Sequence, residues 1–381
     1  MSAKKSILFV PAWWPASFFK EQQELTEKEY TPYVLTGTCA QMSLKHAICF
    51  WNKKDNACTI DYTANTADVR LEWIRYKSRC RLKKQHARLV QYVGETIMNL
   101  MNGQKPTLIH MQSISEISTY VTDWAHQQGI KVILTEHQLH YRRFLHPFNN
   151  VMYDAYNKVD GLYSVSNFLY RNMILNGFAE RTVRVIGNFV NDDYITETML
   201  LQSRNGRIIY VAVHQKGIDI LFEVAKKMKT QQIMIDVYGL SPETISNVDS
   251  RSLYEIAQDL CIDDVVTFKG MIPHEVLLNK YAEYSVLLST SNSETFGLVV
   301  AESIMCGTPV VCTDSGGVSD FVNHTNGIVV GIRDVEQICT GILKVLEASF
   351  DKIAMSQAIR ERYGRKVFTQ ILTEIYHQYE A

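Results

Sequence analysis

Residues 289–322 read STSNSETFGLVVAESIMCGTPVVCTDSGGVSDFV, and the fold is decided by this stretch. An apolar run ending at Ser289 predicts a strand, which feeds a polar turn over 290–295. Gly297 then opens an apolar helix that stops at Cys306-Gly307, with Pro309 just beyond, a usual way for a helix to end. A further strand over 309–312 runs into a second glycine-rich turn, Asp314–Val318. Strand, turn, helix, strand, turn is the pattern of a parallel sheet covered by helices. In such open sheets ligands sit beyond the carboxyl ends of the strands, where both turns fall.

The residues of these turns suggest a ligand. A helix N-terminus offers unpaired N–H groups and a positive dipole end, which suits a phosphate. Gly297 has no Cβ to keep a ligand from the backbone. Glu294 before the helix and Glu302 inside it are carboxylates; they would repel an anion but could accept hydrogen bonds from sugar and ribose hydroxyls. Together these features describe a site for a nucleotide sugar. Two Glu eight residues apart are common on solvated helices, so the pair gains meaning only from the TFG, CGTPVV and SGG elements around it.

The alternation continues outward. Strands are predicted over 208–213, 233–238, 265–268, 285–289, 309–312 and 328–330, with helices over 217–229, 251–260, 274–283, 298–306 and 334–347. A first series has strands over 7–10, 33–36, 47–51, 108–111, 131–135, 161–165 and 183–186, and helices over 79–101, 115–128, 148–158 and 167–176. In the 79–101 stretch Leu82, Leu89, Val90, Val93, Ile97 and Leu100 recur at helical steps. Two series mean two α/β domains, 1–189 and 190–364, joined across the polar segment 188–206. A last helix over 365–381 could pack on either domain, with the first as the assignment adopted.

The chain has 381 residues, of which 46% are hydrophobic and 21% charged, the balance of a globular protein rather than a disordered or fibrous one. The net charge of −1 hides an asymmetry: residues 1–189 carry 23 basic and 15 acidic side chains, residues 190–364 carry 14 and 23. Between Arg70 and Arg88 there are eight basic residues and one acid, with Trp73 and Tyr76 among them. Either a solvated helix face or contact with an anionic membrane would account for residues 70–88; the run is short and has no recognition motif, so no nucleic acid is expected. Trp13, Trp14, Phe18 and Phe19 suit lipid, an acceptor or the core. Eight scattered cysteines without a Cys-x-x-Cys pair read as small buried hydrophobes. The apolar run before Pro11 is too short for a signal core and no 18-residue apolar run occurs, so the expected location is cytoplasmic, with a peripheral position at the membrane as the variant.

SETFGLVVAESIMCGTPVVCTDSGG resembles the signature of family-4 retaining glycosyltransferases of the bacterial polysaccharide-biosynthesis type. The likeness extends to Lys216–Leu221 (KGIDIL), VVTFKG at 265–270 and NGIVV at 326–330, and, in the first half, to ILFVPAWWP, SNFLYRNMILNGF and VIGNFVN. It implies the GT-B fold, two Rossmann-like parallel-sheet domains facing an inter-domain cleft, the first binding the acceptor and the second the donor. It implies transfer of a hexose, with retention, from a UDP- or GDP-type sugar to a saccharide or lipid-linked saccharide. Glu302 would hold the ribose, Glu294 the transferred sugar, and the N–H groups of Phe296, Gly297 and Leu298 the distal phosphate, with Gly316 and Gly317 approaching the same phosphates. Lys216 would neutralise the leaving diphosphate, and His137 would face the sugar from the first domain. The resemblance implies no cofactor and no metal, in keeping with the missing Asp-x-Asp pair.

The sequence departs from the pattern in places. YVAVHQKG lacks the Arg that usually precedes the KG lysine, leaving His214 as a substitute donor. No glycine occurs before Gly37, IDVYG lacks a second glycine, and Asp320 stands where Glu is frequent. These gaps keep two alternatives open: a GT-B-shaped binding or accessory protein, and a nucleotide-sugar epimerase of the same fold.

Overall fold

The structure, a computed structural model, describes residues 5–11, 30–36, 58–61, 70–73, 86–115, 117–139, 149–177, 183–212 and 215–380. It divides into two compact units, Met1–Gly187 with Thr369–Ala381, and Asn188–Phe368. The chain passes between units at Gly187–Asn188 and again at Phe368–Thr369, inside the helix Arg365–Tyr379.

Unit 1 is built on β1 (Lys5–Pro11), β2 (Tyr30–Thr36), β3 (Cys58–Asp61), β4 (Arg70–Trp73), β5 (Leu108–Gln112), β6 (Lys131–Glu136), β7 (Gly161–Ser164) and β8 (Arg184–Val185). Their order is β3-β4-β2-β1-β5-β6-β7-β8, parallel throughout except for the antiparallel pair β3–β4. Ile7–Val10, all of β5 and most of β6 are buried, which is why they read as continuous apolar runs rather than alternating ones. The chain turns back across the sheet between β1 and β5, the reversal that opens a crevice at the carboxyl ends of the strands.

One reading of this half changes. Arg70–Trp73 is strand β4, not part of a solvated helix face; it pairs with β2 and β3, and four residues are too few for alternation to stand out. The helix predicted over 79–101 is described over His86–Leu100. Residues 74–85, the strand predicted over 47–51, and Trp13, Trp14, Phe18 and Phe19 lie outside the described residues. Near its end, the Arg365–Tyr379 helix bonds Tyr376 to His110 in unit 1, and its Tyr379 hydroxyl lies where a side chain on Gly161 would be.

Unit 2 carries β9 (Ile208–Val211), β10 (Ile235–Tyr238), β11 (Val266–Gly270), β12 (Val286–Ser289), β13 (Val310–Thr313) and β14 (Gly327–Val330) in the order β11-β10-β9-β12-β13-β14, every neighbour parallel. Leu221 and Val224 from the helix Ile218–Met228 and Ile338 and Ile342 from Val335–Glu347 fill its core with Val286 and Val311. The reversal falls between β9 and β12. A helix over Lys352–Tyr363 has no counterpart in the sequence reading: its buried stripe, Met355, Ser356, Ile359 and Tyr363, includes a serine and gives weak periodicity. Asp351 caps it by accepting from the Ala354 N–H. Of the cysteines described, Cys306, Cys312 and Cys339 are buried thiols and Cys261 is exposed. Among the described residues no helix is long and apolar enough to cross a membrane.

Candidate active site

In unit 2 the residues singled out by sequence gather after β9 and β12, the two strands flanking the reversal, and after the neighbouring β13. Gly217 sits at φ +73° and opens the helix Ile218–Met228. A Cβ on it would lie 2.1 Å from the Thr290 carbonyl oxygen, so only glycine lets this turn touch the end of β12. The contact is tied by hydrogen bonds: Thr290 Oγ1 donates to the Gly217 carbonyl at 2.7 Å and the Tyr210 hydroxyl to the Lys216 carbonyl at 2.9 Å. Burial holds the Tyr210 phenol above its ordinary pKa, keeping it a donor. Sequence reasoning missed Tyr210 and Thr290, because a buried tyrosine on a strand looks like core.

Pinned this way, Lys216 extends its ammonium to 3.4 Å from Glu294 Oε1 and 3.5 Å from the Ser293 carbonyl. The lysine side chain is 51% exposed and the glutamate 26%, so this loose pair adds little to stability and leaves both groups open to a ligand. Glu294 is joined to the second turn through its backbone. Its N–H donates to Ser315 O and its carbonyl accepts from Gly317 N–H, both at 2.8 Å. Gly316 takes φ +122°, and a Cβ on Gly317 would meet Thr295 O at 2.2 Å. The two glycine-rich turns therefore form one clasped unit.

Gly297 caps the helix Leu298–Met305 at φ +95°, and a Cβ there would lie 2.5 Å from Val318. The Phe296 ring is buried against Phe321 and Tyr363, at centroid distances of 5.2 and 5.0 Å, and anchors the turn. The N–H groups of Phe296, Gly297 and Leu298 bond no backbone carbonyl of the described residues, as expected at the open end of a helix. Glu302 does not share partners with Glu294. It is buried, and its carboxylate contacts His274 Nε2 at 2.9 Å and accepts from the Tyr281 hydroxyl at 3.3 Å. Burial first, then Glu302, raises the Tyr281 pKa well above its ordinary value, so the phenol stays protonated. His274 and Tyr281 lie 28 and 21 residues before Glu302, and nothing in the sequence marks them as its partners. His214 lies outside the described residues.

His137 belongs to unit 1, just after β6, and is buried. Its backbone N–H donates to Ser113 Oγ and Glu136 Oε1, both at 3.0 Å, and its ring Nε2 lies 2.6 Å from Gln112 Oε1. Glu136, fully buried, also accepts from the N–H groups of Ile114 and Gln138 and from the Tyr156 hydroxyl. Ser113, also buried, adopts φ +59°, an uncommon conformation without glycine that this web of bonds holds in place. The ends of β5 and β6 are thus fastened around one carboxylate.

Residues 203–366 match the family described as glycosyl transferases group 1, and residues 48–194 match glycosyltransferase family 4. A D-inositol 3-phosphate glycosyltransferase of Saccharomonospora viridis is 33% identical over 132 residues, covering 34% of this chain and 31% of that protein. One from Mycolicibacterium smegmatis is 33% identical over 147 residues, 38% of this chain and 33% of the relative. The matched stretch thus spans about a third of these relatives. Among solved structures, a glycosyltransferase from Rickettsia africae superposes with a TM-score of 0.70 at 19% identity, covering 99% of this chain and 98% of that one. HepE of Anabaena, solved in complex with UDP, gives 0.70 at 15% identity over 98% of this chain and all of its own. At these identities the structural likeness speaks for the fold. The chain belongs to the family-4 glycosyltransferases and has their GT-B fold of two Rossmann-like domains.

Proposed function

We propose that the chain transfers a hexose, with retention of configuration and without a metal, from a UDP- or GDP-type nucleotide sugar to a saccharide or lipid-linked saccharide. The observation that carries this reading is the meeting of Lys216 and Glu294 beside the open N-terminus of the Leu298–Met305 helix, at the β9–β12 reversal. One cation and a row of N–H groups are suited to a diphosphate whose charge grows as the sugar departs. In this reading Lys216 and the N–H groups of Phe296, Gly297 and Leu298 hold the diphosphate, with Gly316 and Gly317 supporting the turn. Glu294 accepts hydroxyls of the sugar, Glu302 accepts those of the ribose, and His137 bonds a sugar hydroxyl. The bond from the anomeric carbon to the phosphate oxygen breaks as the acceptor oxygen attacks from the same face. The acceptor's proton passes to the departing phosphate, so no second carboxylate is needed. His214 is proposed as a further phosphate donor. The basic stretch 70–88 is proposed to rest on anionic lipid at the cytoplasmic face.

A transfer assay against a panel of nucleotide sugars tests the reading. Lys216→Ala and Glu302→Ala should each abolish transfer while leaving the fold; full activity in both refutes it. Altered nucleotide sugar released without acceptor would mark an epimerase instead. Sedimentation with anionic vesicles tests the membrane contact, which should weaken as salt rises.

A further inference from the structure

Between β5 and β6 a file of buried polar side chains ends on His137. His110 and Gln112 lie two residues apart on β5 and so share a face of the sheet. The His110 ring is edged by two hydroxyls, Tyr376 at 2.9 Å from Nδ1 and Thr135 at 2.8 Å from Nε2. Gln112 Nε2 lies 3.3 Å from Nδ1 and 3.1 Å from Nε2 of the same ring. An atom so nearly equidistant from both ring nitrogens cannot lie in the ring plane without striking the carbon between them. The amide NH2 therefore rests over the ring face, where a neutral imidazole attracts an N–H and repels a carbonyl oxygen. Burial, and next the neighbouring His137, lower the His110 pKa to about 3, so the ring stays neutral above that pH.

With the NH2 end of Gln112 drawn to His110, its oxygen must point the other way, 2.6 Å from His137 Nε2. An amide oxygen only accepts, so that nitrogen must carry a hydrogen. We propose that Gln112, oriented by the face of His110, is a positioning residue that holds His137 as the Nε2–H tautomer and fixes the ring at the end of β6. This rests on the reading of His137 as a residue that faces the sugar. A ring free to exchange tautomers would present the wrong edge part of the time, and a misplacement of about 1 Å in such a group can cost about a hundredfold in rate.

The test uses the full chain labelled with 15N at histidine, with the His137 signals assigned by their loss in His137→Ala. The intact protein should show His137 protonated at Nε2. Gln112→Met, equal in length but without an acceptor, should mix the tautomers and lower kcat about a hundredfold with the donor KM unchanged. Gln112→Glu keeps an acceptor beside His137 but loses the attraction of the His110 face, and should keep Nε2 protonated; the backbone amide spectrum reports whether each variant is folded. A proton on Nδ1 in the intact protein, or an unchanged tautomer in folded Gln112→Met, overturns the proposal. If the tautomer behaves as stated but His137→Ala transfers at the full rate, the positioning by Gln112 stands and the catalytic part assigned to His137 falls.

Discussion

Gly217→Ala tests the idea that the close approach of two turns sets the site. Two costs combine at this position. An L-residue held near φ +73° costs about 1–2 kcal/mol in the left-handed region. The new methyl would also lie 2.1 Å from the Thr290 carbonyl oxygen and 2.7 Å from its carbon, where backbone rather than a flexible side chain must yield. Forced overpacking of this kind costs about 1–3 kcal/mol. Reaching ordinary contact requires the turn to move by about 1 Å, which would draw Lys216 away from Glu294 and cost about a hundredfold in transfer rate. Gly206→Ala is the control: φ is +74° but nothing lies within 4 Å of the added methyl. It should show the conformational cost alone, about 1–2 kcal/mol, and leave transfer unchanged. Thermal melts should therefore separate the two by several degrees, at about 2–4 °C per kcal/mol for a unit of this size. Equal melting temperatures and equal activity in the two variants would refute the reasoning.

Other perturbations address single contacts. Tyr281→Phe removes a donor to Glu302 and should weaken nucleotide binding a fewfold, about 1 kcal/mol by calorimetry, with the melting temperature little changed. His274→Ala frees the other side of the same carboxylate and should also act on donor binding, raising the donor KM more than it lowers kcat. Acid should destabilise unit 1 through His110. Its pKa is about 3 when folded, against an ordinary 6.5, so the unfolded chain binds more protons between those values and stability falls as pH drops through that window. The slope approaches about 1.4 kcal/mol per pH unit, and urea melts of His110→Gln should show a shallower decline between pH 6.5 and 4. Transfer should survive excess chelator, and a complete loss restored by a divalent cation would contradict the metal-free reading.

Much of the site could be read along the chain because its turns are local. The strand–turn–helix run from Ser289 to Met305 carries its own signals: an apolar run, a polar turn, a glycine and a proline-marked end. What could not be read depends on contacts between distant residues. Tyr210 meets Thr290 across 80 positions, His274 meets Glu302 across 28, and Gln112 meets His137 across 25. In each case the residue type alone suggested core or surface. Strands β3 and β4 escaped notice for a different reason. At four residues each they depend on pairing with each other and with β2 rather than on intrinsic pattern. The Lys352–Tyr363 helix, weakly amphipathic, packs by means of a few large side chains, Tyr363 against Phe296 among them.

The central claim is that the joined turns after β9, β12 and β13 hold a nucleoside diphosphate, and calorimetric titration of UDP and GDP tests it most directly. At least one should bind the intact chain, and Lys216→Ala should weaken it about tenfold or more, the loss of one charged hydrogen-bonding partner. No binding of either nucleotide, or equal binding by intact chain and variant, would contradict the account.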